Sequence, residues 1–171
     1  MYLSHKTSAL VHFQQIWYFS PNIDWIPEEK GNGKIMTDHP THIQFINPPS
    51  LFTPPGFTHV VEITGGRTVY IAGQTALDQS FQIVGKGDFR AQAQQVFENL
   101  KAALTAVGAD FTHVVKLTIY LIDMTQLRVL AEVRDRYVNT EHPPASTAVE
   151  VRKLARDDLL LEIEAVVSMP T

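Results

Sequence analysis

Residues 88–122 read DFRAQAQQVFENLKAALTAVGADFTHVVKLTIYLI, and two different periods follow one another within them. In the first half, Phe89, Ala93, Val96, Leu100, Leu104 and Val107 recur at steps of three and four, which makes one apolar stripe on a helix. Asp88 stands at the N-cap position and Gly108 where the chain would leave the helix, each a residue type suited to its end. In the second half, Val115, Leu117, Ile119 and Leu121 alternate with Lys116, Thr118 and Tyr120, the period of a strand with one buried face.

The reading extends outward from there. Upstream, 58–64 and 67–73 read as strands around Gly65-Gly66, a hairpin turn signal, and 81–84 as a short third strand. Downstream, Asp123 or Thr125 would cap a second helix with Leu127, Leu130, Val133 and Tyr137 on or near its inner face. Pro143-Pro144 ends that region, and 145–151 and 160–168 read as two last strands. The order β-β-β-α-β-α-β-β predicts an α+β domain: one mixed sheet with two helices stacked on a single face. The other face would be bare, and a large bare sheet face in a small domain predicts an oligomer interface.

The chain has 171 residues, one domain's worth with room for an appendage. Its 44% hydrophobic content is enough for a packed core. It has no cysteine, which removes disulfides, thiolate metal sites and a cysteine nucleophile. The formal net charge of −4 supplies no global field for nucleic acid. No apolar run approaches the roughly 20 residues needed to cross a bilayer. After Lys6 the only early apolar run is Ala9-Leu10-Val11, too short for a signal peptide. The chain reads as cytoplasmic.

Residues 1–50 differ from the rest. They hold Trp17, Tyr18, Phe19, Trp25, Phe45 and the prolines Pro21, Pro27, Pro40, Pro48 and Pro49, with no sustained period. Residues 28–34 are polar and glycine-punctuated, and Met36 opens a stretch that would serve as a native start. The expectation is an N-terminal extension over 1–50 and a folded domain over 51–171. Within the extension, 1–35 would be a leader translated from an upstream region or added. The rival reading is an arm whose tryptophans pack on the assembly.

Few motifs carry chemistry. Glu162 and Glu164, two apart on the last strand, point to the same sheet face. They are either a pair with split pKa values doing acid–base work or two solvated charges. In Ala72-Gly73-Gln74 the glycine permits close approach of a ligand or backbone, or simply a bend. Gly31-Asn32-Gly33-Lys34 lacks the spacing of a phosphate loop. The seven histidines do not fall at zinc-ligand spacing, and no Gly-x-Ser-x-Gly occurs. No metal and no cofactor are expected.

Several runs together carry a resemblance. Val69-Tyr70-Ile71-Ala72-Gly73-Gln74, residues 88–100 (DFRAQAQQVFENL), 101–108 and 114–118, Ile122-Asp123-Met124, Pro144-Ala145-Ser146-Thr147 and Leu161-Glu162-Ile163-Glu164-Ala165 follow in order. They resemble the strand–SGQ, helix, "kDm", "PARS" and "EIEA" segments of the Rid family (RidA/YjgF-like, also called endoribonuclease L-PSP) over about residues 50–170. The resemblance implies a chorismate-mutase-like homotrimer with small-molecule clefts between subunits. The best-known members hydrolyse enamine/imine acids to 2-keto acids and ammonia without a cofactor. An arginine in the PARS segment clamps the substrate carboxylate, and a glutamate of the last strand positions water.

Carried over, Glu162 matches that glutamate and Gly73 the pocket glycine, with Ala145 and Ala148 beside them in the PARS-like segment. Ala72 replaces a serine, Phe57 a tyrosine, Ala131 an asparagine, and Ser146 the arginine. The last change implies a less anionic or smaller ligand and places the standard 2-iminopropanoate deaminase activity in question. Arg134 or Arg152 could supply a substitute cation, but the sequence does not place either in the cleft; their simplest reading is as surface arginines. Three functions are implied: a divergent hydrolytic imine deaminase using Glu162, a small-molecule-binding trimer or sensor without turnover, and, least, an endoribonuclease or translation inhibitor. Neither a membrane nor nucleic acid is an expected partner.

Overall fold

The structure, a computed structural model, describes residues 42–171; the expected leader over 1–35 and the start at Met36 lie outside the described residues. The elements are β1 (Ile43–Ile46), β2 (Val60–Ile63), β3 (Arg67–Gln74), α1 (Phe89–Ala106), β4 (Val114–Leu121), α2 (Leu127–Arg134), β5 (Ala145–Glu150) and β6 (Leu161–Met169). A four-stranded mixed sheet in the order β3-β6-β4-β5 carries the two helices. Its β4–β5 pair is parallel and the rest antiparallel, because α2 returns the chain to the start of β5 as a crossover.

The stripe and the alternation predicted from sequence meet in one core. Phe97, Leu100 and Leu104 of α1, Leu130 and Val133 of α2, Leu117, Ile119 and Leu121 of β4, and Leu161 and Ile163 of β6 are all buried together. Asp88 caps α1 by accepting from the Ala91 amide at 3.1 Å. Gln92, fully buried, donates to the Asp158 carbonyl at 2.8 Å and accepts from the Leu160 amide at 2.9 Å. It thereby ties the helix to the chain entering β6. Asp123 caps the 3-10 turn Met124–Gln126 that leads into α2.

Two local expectations are corrected. The Gly65-Gly66 hairpin does not pair β2 with β3: β2 pairs antiparallel with β1, in a separate two-stranded sheet. The Thr64 amide extends that pairing to the His42 carbonyl at 2.9 Å, so β1 occupies the ladder edge that β3 would have used. Strand β1 lies in a stretch that shows no sustained period, and four residues are too few to show one. The expected strand over 81–84 is reduced to a single bridge, Leu77 to Ile83. Phe81 has a φ of 61°, outside strand geometry, and Asp78 holds a local turn by accepting from the Ser80 and Gln82 amides.

Candidate functional site

The face of the four-stranded sheet away from the helices carries the even-numbered residues of β6 and, from Lys116 on, of β4. Lys116, Thr118 and Tyr120 alternate with core residues along β4, as do Glu162, Glu164 and Val166 along β6. With Tyr70 and Ala72 of β3, several of them line a depression of about 450 Å³. Tyr70, 80% exposed, stands out from this face.

Glu162 pairs with Tyr120, and Glu164 with Thr118, across the β4–β6 ladder. The β3–β6 register slips between Ile71, opposite Ala165, and Gln74, opposite Ile163. Ala72 and Gly73 therefore share the place opposite one residue, a β-bulge that re-aims the backbone. A Cβ built on Gly73 would overlap the Glu162 Oε1 and sit 2.7 Å from its Cδ. Glycine is thus what lets the Glu162 carboxylate lie down on the β3 backbone. Beside it, Tyr120 Oη is 3.5 Å from Glu164 Oε1, at the outer limit of a hydrogen bond. Reduced contact with water, and then the Glu164 and Glu162 carboxylates, push the Tyr120 phenol above its ordinary range. It stays a protonated donor beside two acceptors.

The other expected site residues lie elsewhere. The parallel register sets Ser146 opposite Leu117 and Ala148 opposite Ile119, so both share the core-facing side, and Ala148 packs on the core. Ala145, opposite Lys116, belongs to the bare side. Phe57 is half-buried in a loop, its ring 5.3 Å from that of His59 and 6.1 Å from that of Phe52. Thr58 tethers this loop to the segment before β5, its amide donating to the Pro144 carbonyl at 3.3 Å and its hydroxyl to the Pro143 carbonyl at 2.5 Å. Ala131 is half-buried on α2. Ser146 and Glu162 are two strands apart, roughly 10 Å by strand spacing, out of register and on opposite faces. One chain does not bring them together.

Arg152 is exposed as a surface arginine would be, but Arg134 is not: its side chain is 14% exposed and is held by Asp135. Among the described residues no group of three His, Cys, Asp or Glu could hold a metal ion, and no helix is long and apolar enough to cross a membrane.

The bulged glycine beneath a strand glutamate, in a mixed sheet backed by two helices, agrees with what comparison of the chain gives. The family model described as Endoribonuclease L-PSP matches residues 53–169. The chain belongs to this family. The expected Rid-family membership and the mixed sheet with two helices are thereby borne out. Among L-PSP relatives, a RutC family protein of Pyrococcus horikoshii is 42% identical over 104 residues, 61% of this chain and 81% of the relative. The human 2-iminobutanoate/2-iminopropanoate deaminase is 36% identical over 100 residues, 58% and 72% of the two chains. Of solved structures, a Yersinia pestis protein of unknown function of the Rid family, YyfB, superposes with a TM-score of 0.67 at 34% identity, covering 75% of this chain and 99% of that one. Escherichia coli TdcF with bound serine superposes with a TM-score of 0.55 at 29% identity, covering 63% of this chain and 84% of that one.

In this L-PSP chain Gly73→Ala is expected to displace the Glu162 carboxylate, since the added methyl would occupy its place. Any hydrolysis depending on Glu162 would fall by on the order of 10²-fold, as for a misplaced catalytic group, while the melting temperature changes little at this half-buried edge position. Paired kinetics and thermal melts check it. An alanine variant with unchanged kcat/KM would mean that the carboxylate works from another position.

Proposed function

We propose that this chain is a divergent hydrolytic deaminase of the imine/enamine type, working in clefts completed by neighbouring copies in a homotrimer. The observation that carries the reading is the Glu162 carboxylate seated over Gly73 beside a protonated Tyr120. A carboxylate held against backbone, next to donors, can accept a proton from a water molecule aimed at a bound C=N bond. Water adds to the carbon, the nitrogen takes a proton and leaves as ammonia, and a carbonyl remains; no oxidant or reductant is consumed. The separation of Ser146 from Glu162 within one chain favours a cleft assembled from two copies, and the exposed Tyr70 and Val149 on the bare face favour burial of that face.

Ser146 is where this chain parts from the arginine-bearing deaminases that it resembles. A hydroxyl does not replace a guanidinium–carboxylate pair, whose truncation costs about 2–5 kcal/mol of binding. The substrate preference should therefore differ from that of 2-iminopropanoate deaminases. Ser146 and Ala72 also favour a second reading, a small-molecule-binding trimer without turnover. An RNA-cleaving role fits poorly, because the bare face presents Glu162 and Glu164 where phosphates would need cations.

Ammonia release from freshly generated 2-iminobutanoate tests the reading. Ser146→Arg is expected to raise kcat/KM at least tenfold over wild type, in line with a restored bidentate pair. Equal rates in the two would remove the role given to Ser146. No hydrolysis of acidic or neutral imines by either would leave the binding-only reading.

A further inference from the structure

We infer that Arg134 is the anion-reading residue of this cleft, and that its ligands are small carboxylic acids whose carboxylate is gripped from the end of α2 rather than from β5. The inference rests on the cleft reading above and goes beyond it by naming the residue and the ligand class.

The guanidinium lies flat under the Phe57 loop. Gly56 has a φ of 123°, and a Cβ there would sit 2.6 Å from Arg134 Nη2, 3.5 Å from Cζ and 3.6 Å from Nη1. Only glycine tolerates both that backbone angle and that closeness. Asp135 fixes the other edge: its Oδ1 accepts from Nε at 2.9 Å and from Nη2 at 2.7 Å. The side chain is thereby immobilised at 14% exposure. A guanidinium has five N–H donors in a planar fork. Two are used by Asp135, and the remaining three, both on Nη1 and one on Nη2, meet no acceptor among the described residues. A mostly withdrawn, prealigned pair of amino groups without acceptors suits a planar two-oxygen anion.

The location is what makes this a cleft residue. The Phe57 loop that covers Arg134 is the loop tied through Thr58 to Pro143 and Pro144. Ser146 follows Pro144 by two positions, about 7 Å of extended chain. Arg134 thus lies against a loop that is itself tied to the chain just before Ser146. A serine at 146 leaves open the space that a long side chain there would fill, so a carboxylate can reach past it to Arg134. Asp135 cancels the formal charge of the pair, which makes the grip weaker than that of a lone arginine.

The test is titration of the full chain with 2-oxobutanoate, a stable carboxylate probe, and with its neutral amide. Arg134→Gln should weaken the acid at least tenfold and leave the amide unchanged, while Arg134→Lys, which keeps the charge and loses the planar fork, should fall between the two. Asp135→Asn should tighten the acid severalfold by removing a competing charge, a gain that a purely structural role for Arg134 would not produce. Thermal melts confirm that each variant is folded; if Arg134→Gln does not fold, the lysine and Asp135→Asn arms decide. Acid affinity that is equal in wild type and Arg134→Gln, or unmoved by Asp135→Asn, overturns the inference. An amide that binds while the acid does not overturns it too, yet leaves the cleft reading in place. Failure of both probes on every variant removes the inference together with the cleft reading.

Discussion

Glu162→Gln is expected to lower kcat for imine hydrolysis by about 10²–10⁴-fold, the range for loss of a positioned general base, with ligand affinity changed far less. The substitution keeps size and shape, so the side chain can still lie over Gly73. What it removes is the negative acceptor that takes a proton from water. The neighbouring Glu164 does not take over, because it pairs with Thr118, one step further along the ladder, while Glu162 pairs with Tyr120. Tyr120, whose phenol is pushed up and stays protonated, can donate but not accept a proton at neutral pH. Single-turnover rates alongside equilibrium titration separate the two effects. A glutamine variant that retained wild-type kcat would take the reaction away from this carboxylate. One that lost affinity and rate in equal measure would recast Glu162 as a binding group.

Phe97→Ala carries the largest expected cost in stability, about 3–5 kcal/mol, the usual range for deleting a buried aromatic ring. Phe97 is fully buried in the middle of the α1 stripe. Its ring stacks on Tyr137 with centroids 5.0 Å apart and planes 15° apart, and Phe111 closes the third side at 6.0 Å. Tyr137 cannot swing into the hole without giving up its hydrogen bond to Glu98 Oε1 at 2.9 Å. Burial and then that bond to Glu98 push the Tyr137 phenol up to about 12, so the donor is kept at all ordinary pH. The cavity therefore collapses poorly, which is the condition for a cost at the upper end. Denaturant titration at fixed protein concentration reads it, since any self-association would couple to stability. A cost below about 1 kcal/mol would mean that this aromatic cluster is not the centre of the core.

The glycine and glutamate of the candidate site were legible in the sequence, and the withdrawal of Arg134 was not. Glu162 and Gly73 stand inside runs that resemble a family pattern, so their roles could be carried across one by one. That they touch depends on a bulge, which period-two alternation cannot show because it consists of one residue too many. Arg134 read as a surface residue because charged side chains at the end of an amphipathic helix usually are. Its withdrawal depends on Gly56, distant in sequence, folding over it, and no local pattern records that contact. Ser146 could be recognised as a replacement, but its core-facing side follows only from the parallel register with Leu117.

By itself the sequence determined both helices, the strands β3 to β6 and most of the core, because burying an apolar stripe or an alternating row is a local demand with a readable period. It determined the cap Asp88 for the same reason, and it left Asp123 or Thr125 open for the second helix, where Asp123 caps the 3-10 turn that precedes α2. The tertiary structure alone decided which strand β2 pairs with, that 81–84 is a turn, and which side chains share a sheet face. Strand edges are chemically alike along any backbone. A partner is chosen by which edge reaches which in space, and β1 reached β2 first in that sense, taking the hydrogen bonds that β3 would have used.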